Sequence, residues 1–144
     1  MIEIHESLRE IYRKIEPTLK GTFIETLGIE MYSIQPHHIF ARVDITPQLL
    51  QPAGFLHGGV ALGISESLAS LGAYMTVDHD LYAVFGQEIN ANHLKSIRDG
   101  VIIAEASAIH VGKRSQVWET KIKDKKSKGL ICVSRCTLAI VDKK

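Results

Sequence analysis

The sequence has little excess charge and no long apolar run, and each shortage excludes a class of protein. Its 17 Lys and Arg residues almost balance its 16 Asp and Glu residues, which leaves a net charge of +1. Proteins that bind nucleic acid as their main task need a strongly basic surface, so this balance argues against that role. The longest apolar stretch, residues 60–77, is interrupted by Ser65-Glu66-Ser67 and does not predict a membrane span.

Cysteine is scarce as well. Cys132 and Cys136 are the only two, and on one extended strand their Cα atoms would lie about 13 Å apart, too far for a disulfide. We expect two buried, reduced thiols, as is usual in a reducing cytoplasm. The first residues lack the basic start and apolar block of a secretory signal, which also favours a cytoplasmic location.

Several catalytic signatures are missing too. The 7 histidines do not pair with cysteines or carboxylates at the spacing of metal ligands. The sequence has no Gly-rich phosphate loop and no elbow of the kind that carries the serine of a serine hydrolase. We therefore expect neither a metal ion nor a separate cofactor.

What is present is sufficient for one hydrophobic core. The 144 residues are 45% hydrophobic and 23% charged, which is typical of a folded domain and not of a disordered chain. No linker, repeat or low-complexity segment divides them. We expect a single domain over residues 1–144, in which residues 1–20 contribute an N-terminal helix.

Hydrophobic periodicity predicts the order of the elements. Apolar residues at helical spacing predict an amphipathic helix over residues 4–19, with Pro17 near its end. Residues 28–35 and 39–45 predict two strands, joined by a turn at Pro36-His37-His38. Four more strands are predicted where segments alternate or run apolar with β-branched residues, at 83–92, 101–110, 116–123 and 130–141.

Residues 57–76 predict one long helix that is apolar or small nearly all round. Its apolar stripe consists of Val60, Ile64, Leu68, Leu71 and Met75, and small residues occupy most other positions. A helix of this kind is buried. The order helix, two strands, long helix, four strands therefore predicts an α+β fold in which an antiparallel sheet wraps around the long helix.

Glu66 is a lone carboxylate in this apolar helix, and His57-Gly58-Gly59 stands at the start of the helix. Burying a carboxylate is costly unless it is paired or used. Backbone N–H groups at a helix start are unpaired and attract negative charge. Together these features suggest acyl chemistry, although a glutamate satisfied by serine or backbone groups and a tight-turn glycine would fit the same residues.

Three blocks of sequence resemble one known family. They are residues 51–74 around His57-Gly58-Gly59 and Glu66, then Gly86-Gln-Glu-Ile-Asn-Ala-Asn-His93, then His110-Val-Gly-Lys-Arg-Ser-Gln-Val-Trp118. In order and spacing they resemble the hotdog-fold acyl-CoA thioesterases, in the subgroup of the phenylacetate-pathway and 4-hydroxybenzoyl-CoA enzymes. The likeness is closest to bacterial hydrolases of dihydroxynaphthoyl-CoA and related esters, and it spans roughly residues 20–141.

The resemblance implies a role for each residue of the motif. Glu66 is implied as the catalytic carboxylate, which acts either as a nucleophile on the thioester carbonyl or as a general base for water. Gly58 is implied to offer its backbone N–H to the thioester oxygen. Gln51 and His57 match positions near the carbonyl or the water, and Ser70, one turn after Glu66, could orient the carboxylate.

One distance predicts an oligomer. Gly58 and Glu66 are eight residues apart on one predicted helix, about 12 Å by helical rise, so they cannot both touch one carbonyl group. We therefore expect a homodimer with antiparallel helices, in which each site combines Glu66 of one subunit with Gly58 of the other. The family is known for this arrangement, and its members commonly form tetramers.

The resemblance also implies how the coenzyme A part of the substrate is bound. The turn at residues 112–115 carries two cations and backbone amides suited to phosphates, and a neighbouring strand end adds further contacts. The implied contacts are Gly86, His93, Lys95, Ser96, His110, Val111, Gly112, Lys113, Arg114 and Ser115.

Two other activities remain open. One is an acyl-CoA binding or sensing module without turnover, against which the intact Glu66 argues. The other is a dehydratase of hydroxyacyl thioesters, whose typical arrangement of histidine and carboxylate is not found here. The acyl group itself stays open between aroyl and medium-to-long acyl esters.

Overall fold

Alternation of buried and half-exposed residues defines the strands of this protein, whose computed structural model describes residues 2–144. In the strand Val101–Val111, for example, Ile102, Ala104 and Ala106 are fully buried and the residues between them are not. This period of two places one face of the strand on the core. The strands are β1 (Glu3–Ile4), β2 (Glu30–Gln35), β3 (His38–Asp44), β4 (Tyr82–His93), β5 (Val101–Val111), β6 (Ser115–Asp124) and β7 (Leu130–Asp142).

All seven strands form one sheet in the order β1-β2-β3-β5-β6-β7-β4. Neighbours are antiparallel except β1 and β2, which are parallel. β4 therefore stands at an edge, where it pairs with β7 alone among the described residues. Its backbone groups on the other side have no strand partner within residues 2–144.

Three helices accompany the sheet: α1 (Arg9–Leu19), α2 (Phe23–Thr26) and α3 (Gly58–Tyr74). The long helix α3 lies against strands β3 to β7, which confirms the predicted sheet around a central helix. The close approach depends on Gly72, because a Cβ at that position would overlap the ring of Trp118. Trp118 is accordingly buried in the core.

A chain of side-chain hydrogen bonds fixes the C-terminal end of α3 on β6. The Trp118 indole N–H donates to Gln116 Oε1 at 3.0 Å, and the Gln116 amide donates to Thr76 Oγ1 at 2.6 Å. Thr76 in turn donates to the carbonyl of Ala73 at 2.8 Å. These polar groups are inside the protein, and each finds a partner, so the chain stabilises the helix end.

The helix predicted over residues 4–19 is wrong over its first five residues. Ile4 instead pairs with Ile34 in β1, and Glu6–Leu8 form a 3₁₀ turn before α1 begins at Arg9. The N–H of His5 donates to the Ile34 carbonyl at 2.9 Å, so the sheet draws this segment out of the helix. Pro17 does not end the helix, which continues to Leu19.

The remaining predictions of elements agree with the structure to within about two residues, which is the usual uncertainty of element ends. The short helix α2 was not predicted. Cys132 and Cys136 are both buried on β7 and form no disulfide with each other. No helix among the described residues is long and apolar enough to cross a membrane.

Candidate active site

Glu66 lies half-buried in the middle of α3, where the helix passes Gly86 of β4. A Cβ at Gly86 would collide with Oε1 of Glu66, so glycine at this position lets the carboxylate take its observed place. No donor among residues 2–144 bonds to this carboxylate, so its oxygens are left to solvent or to a ligand. Gly86, predicted as a contact of coenzyme A, is thus placed beside the carboxylate.

The Glu66 carboxylate opens into a pocket of about 480 Å³, called here the carboxylate pocket. One helical face supplies Gly63, Glu66, Ser67, Ser70, Leu71 and Tyr74. The opposite wall comes from the N-terminal segment, with Ile15, Thr18, Leu19, Thr22, Phe23 and Ile24, and Val84 of β4 completes the lining. Ser70 therefore shares a pocket with Glu66, as expected, and Ser67, Phe23 and Tyr74 are additions that the sequence did not single out.

The start of α3 faces a second pocket, of about 400 Å³, called here the amide pocket. It contains Gln51, His57 and Gly58 together with His93, Lys95 and Ser96 from the end of β4 and beyond. The His93 ring lies against the helix start, since a Cβ at Gly58 would be 2.8 Å from its Nε2. Three predicted contacts of coenzyme A thus border the predicted carbonyl site.

His57 caps the start of α3 but leaves one backbone N–H there, that of Gly58, without a partner in residues 2–144. Its Nδ1 accepts the Gly59 N–H at 2.8 Å, and its carbonyl accepts the Val60 N–H at 3.0 Å. No acceptor within the described residues takes the Gly58 N–H. Because Nδ1 is an acceptor, a neutral His57 ring carries its proton on Nε2 and is a second donor at this position.

Arg98, which sequence analysis missed, holds the loop that carries Gln51. Its guanidinium donates to the carbonyls of Ala53 and Gly54 at 3.2 and 3.4 Å and covers the Phe55 ring at 3.7 Å. Gly54 has a φ of +82°, a conformation that favours glycine. Gln51 Oε1 accepts the Ala53 N–H at 2.6 Å, so its amide group remains available as a donor.

The two pockets share no lining residue in one chain. Glu66 and Gly58 lie on one uninterrupted helix, and eight residues of helical rise separate them by about 12 Å. A carbonyl group bound at the Gly58 N–H is therefore out of reach of the Glu66 carboxylate in the same chain.

The family model of the thioesterase superfamily matches residues 53–131, more than half of the chain and most of both pockets. The chain belongs to the thioesterase superfamily. It is 47% identical over 120 residues to a 1,4-dihydroxy-2-naphthoyl-CoA hydrolase of Listeria monocytogenes, an alignment that covers 83% of this chain and 96% of that protein. It is 35% identical over 122 residues to the Escherichia coli protein of the same name, over 85% and 88% of the two chains.

The same likeness extends to solved structures. A mutant of the thioesterase PA1618 from Pseudomonas aeruginosa superimposes with a TM-score of 0.85 at 31% identity, over 91% of this chain and 94% of that one. These comparisons confirm the hotdog fold and identify this protein as a thioester hydrolase.

The predicted phosphate-binding turn of the thioesterase lies far from the amide pocket within one chain. Val111, Gly112 and Lys113 border a cavity with Thr76 and Val77, just beyond the end of α3. The length of α3 puts this cavity about 25 Å from Gly58.

Contacts within the protein already occupy part of the hydrogen-bonding capacity and charge of this turn. The Gly112 N–H donates to the Ser115 carbonyl at 3.0 Å, and Arg114 forms an ion pair with Asp142 at 2.6 Å. The neighbouring His110 is exposed, and its Nε2 lies against Gly112. Lys113 has no carboxylate partner among the described residues, so it is the cation of the turn that remains available.

Two other groups of the thioesterase look nucleophilic but are not suited to the task. Ser107 Oγ and Glu105 Oε1 both lie near Nε2 of His38, at 3.1 and 3.0 Å. A catalytic triad needs the two partners on different ring nitrogens, so this group is no triad. Burial, with Glu66 and Glu88 nearby, raises the pKa of Cys136 to about 12, which keeps the thiol protonated and unreactive.

Proposed function

We propose that this thioesterase hydrolyses the CoA thioester of an aromatic acid, with Glu66 as its catalytic carboxylate. The observation that carries the proposal is the unbonded Glu66 carboxylate, held against Gly86 in a pocket lined by Ser70, Leu71 and Tyr74. Hydroxyl and apolar groups together suit an aromatic acyl group with polar substituents. The names of the relatives make 1,4-dihydroxy-2-naphthoyl-CoA the first substrate to test.

The active site is composite and is completed by a second copy of the chain. β4 is a 12-residue edge strand, and a strand of this length with an unpaired side is a ready partner for another β4. It borders both pockets, with Gly86 beside Glu66 and His93 beside Gly58. Antiparallel pairing centred between these two residues brings the carboxylate of one subunit to the amide pocket of the other.

Hydrolysis can then follow either of two routes. In the first, a Glu66 oxygen attacks the carbonyl carbon, the carbon–sulfur bond breaks, CoA leaves as thiolate, and water hydrolyses the resulting anhydride. In the second, Glu66 takes a proton from a water molecule that attacks the same carbon, the carbon–sulfur bond breaks, and the proton passes to the leaving sulfur to give CoA thiol. In both, the Gly58 N–H and the His57 Nε2–H stabilise the negative oxygen.

Mass spectrometry of enzyme quenched during turnover separates the two routes. An acyl adduct on the peptide that contains Glu66 supports the anhydride. Its absence under single-turnover conditions, with product already formed, supports the general-base route.

Replacement of the carboxylate tests the proposed function itself. Glu66→Gln should lower the release of CoA thiol by about 10³-fold, because the amide neither attacks nor accepts a proton. Glu10→Gln is the control, since Glu10 is highly exposed and pairs only with Lys14 on the surface. Near-normal turnover by folded Glu66→Gln would overturn the assignment.

The coenzyme A moiety is bound near the amide pocket by His93, Lys95 and Ser96, and no further cofactor takes part. Dialysis against a chelator should accordingly leave the rate of thiol release unchanged. A loss of activity that a divalent metal restores would contradict this part of the proposal.

A further inference from the structure

The Phe23 ring of α2 lies in a notch on α3 beside the catalytic carboxylate. A Cβ at Gly63 would be only 2.8 Å from Cε1 of this ring, so the absence of a side chain at Gly63 creates the notch. Gly63 precedes Glu66 by three residues and therefore lies on the same side of the helix. Phe23 is thereby held at the wall of the carboxylate pocket, one helical turn from Glu66.

The ring is 57% exposed, although it is large and apolar. Exposed aromatic surface is unfavourable in water, and surface of this kind at a pocket often marks where a ligand binds. Leu81 is almost equally exposed, at 56%, but does not line the carboxylate pocket. Leu81 is therefore a matched control for Phe23, since it is equally exposed but lies away from the pocket.

The wall around Phe23 offers apolar contacts to a ligand and no free hydroxyl donors from Thr18 or Thr22. The Thr18 hydroxyl donates to the Ile15 carbonyl at 2.7 Å, and the Thr22 hydroxyl donates to the Leu19 carbonyl at 2.6 Å. Both hydroxyl protons are therefore used within the segment and are not offered to a ligand. The polar groups of the pocket belong to the α3 side, where Glu66, Ser67 and Ser70 lie.

The wall around Phe23 contributes none of the groups proposed to carry out hydrolysis. It is built by residues 15–24, whereas Glu66, Gly58 and His57 belong to α3 and its start. The wall can therefore change without altering those groups. Such a segment is a natural place for selection among acyl groups.

We propose that Phe23 is a specificity-determining residue, whose ring packs against the aromatic acyl group of the substrate. The proposal rests on the function proposed above and adds the residue that selects the acyl group. Contact between two aromatic rings gives a preference for aroyl over short straight-chain esters, because the latter do not reach the ring.

The test compares one aromatic and one short ester. For wild type and Phe23→Ala, kcat/KM is measured with 1,4-dihydroxy-2-naphthoyl-CoA and with butanoyl-CoA. Phe23→Ala should lower the ratio of the aromatic to the short ester about tenfold, mainly through KM for the aromatic ester. Leu81→Ala should leave the ratio unchanged, and Phe23→Tyr should retain most of it.

A second variant displaces the Phe23 ring without removing it. Gly63→Ala places a methyl group where the Phe23 ring lies, so the ring must move. The ratio should fall in the same direction as with Phe23→Ala. Thermal unfolding of each variant checks that the protein remains folded.

The outcomes separate this proposal from the proposed function. If the wild type hydrolyses neither ester, the proposed function fails and the role of Phe23 falls with it. If the wild type is active but Phe23→Ala changes both esters equally, or neither, only the role of Phe23 is overturned.

Discussion

The two pockets on α3 are built in different ways. The amide pocket is held by the local His57 cap and the Gly54 conformation, together with long-range contacts from Arg98 to the loop. The carboxylate pocket instead places one helical face opposite a wall from the N-terminal segment. On the function proposed above, the first pocket binds the thioester carbonyl, whereas the second combines the proposed catalytic carboxylate with selection of the acyl group.

After loss of the Glu66 carboxylate itself, the largest effect is expected from removal of the free donor of the amide pocket. Gly58→Pro eliminates the N–H at a position where the helix tolerates proline, and activity should fall by about 10²- to 10³-fold. Gly58→Ala is the matched control, because it brings a similar Cβ toward His93 but keeps the N–H. Equal rates of thiol release from the two variants would show that the N–H does not take part.

A somewhat smaller effect should follow from displacement of the carboxylate. Gly86→Ala puts a methyl group where Oε1 of Glu66 lies, and the shift should lower kcat by about 10²-fold. Adding Glu66→Asp, whose shorter side chain avoids the methyl group, should cost less in the Gly86→Ala background than in the wild type. Strictly additive losses in this double-mutant cycle would contradict direct contact.

Arg98 tests whether the loop of the amide pocket must be held in place. Arg98→Ala should lower kcat about tenfold with little change in KM for butanoyl-CoA, since Gln51 and His57 would be positioned less precisely. Arg98→Lys should rescue little, because lysine cannot make the forked hydrogen bonds and stacking of arginine. Full rescue by lysine would mean that only the charge matters.

A separate effect, on stability at high pH and not on rate, is expected from the buried thiol of Cys136. The pKa of Cys136 is raised from its ordinary value of 9.0 to about 12 by burial and by Glu66 and Glu88. The unfolded thiol ionises first, so this contribution to stability is complete below pH 9 and is lost as pH rises toward 12.

Denaturant unfolding across this pH range measures the effect. Cys136→Ala should flatten the alkaline loss of stability, by at most about 1.4 kcal/mol per pH unit. Cys132→Ala should flatten it less, because burial alone raises the pKa of Cys132. Identical pH profiles for the wild type and Cys136→Ala would contradict this account.

Much of the central fold could be predicted, because its signals are local. Alternating residues give β3, β5, β6 and β7, and the spacing of small and apolar residues gives α3. The start of the chain could not be predicted in the same way, since Ile4 leaves the helical pattern by pairing with distant Ile34, whose carbonyl accepts the His5 N–H. Such long-range pairing has no signature in the segment itself.

In the candidate site, likewise, some residues could be predicted from the sequence and others could not. Glu66, Gly58 and Ser70 stand in a recognisable motif, and helical spacing of three and four residues would also have pointed to Gly63, Ser67 and Tyr74. Phe23 and Arg98 carry no such signal, because each reaches its pocket only through the tertiary fold. The two pockets and the separate place of the 112–115 turn likewise appear only in three dimensions.

Mixing two inactive variants tests the composite site most directly. Glu66→Gln lacks the carboxylate, and Gly58→Pro lacks the donor, so neither homodimer has an intact site. In a mixed dimer, one of the two sites combines the remaining Glu66 with the remaining Gly58. Random mixing after subunit exchange should therefore restore about a quarter of wild-type thiol release. No recovery, with mixed dimers demonstrated by native mass spectrometry, would contradict a site shared between two subunits.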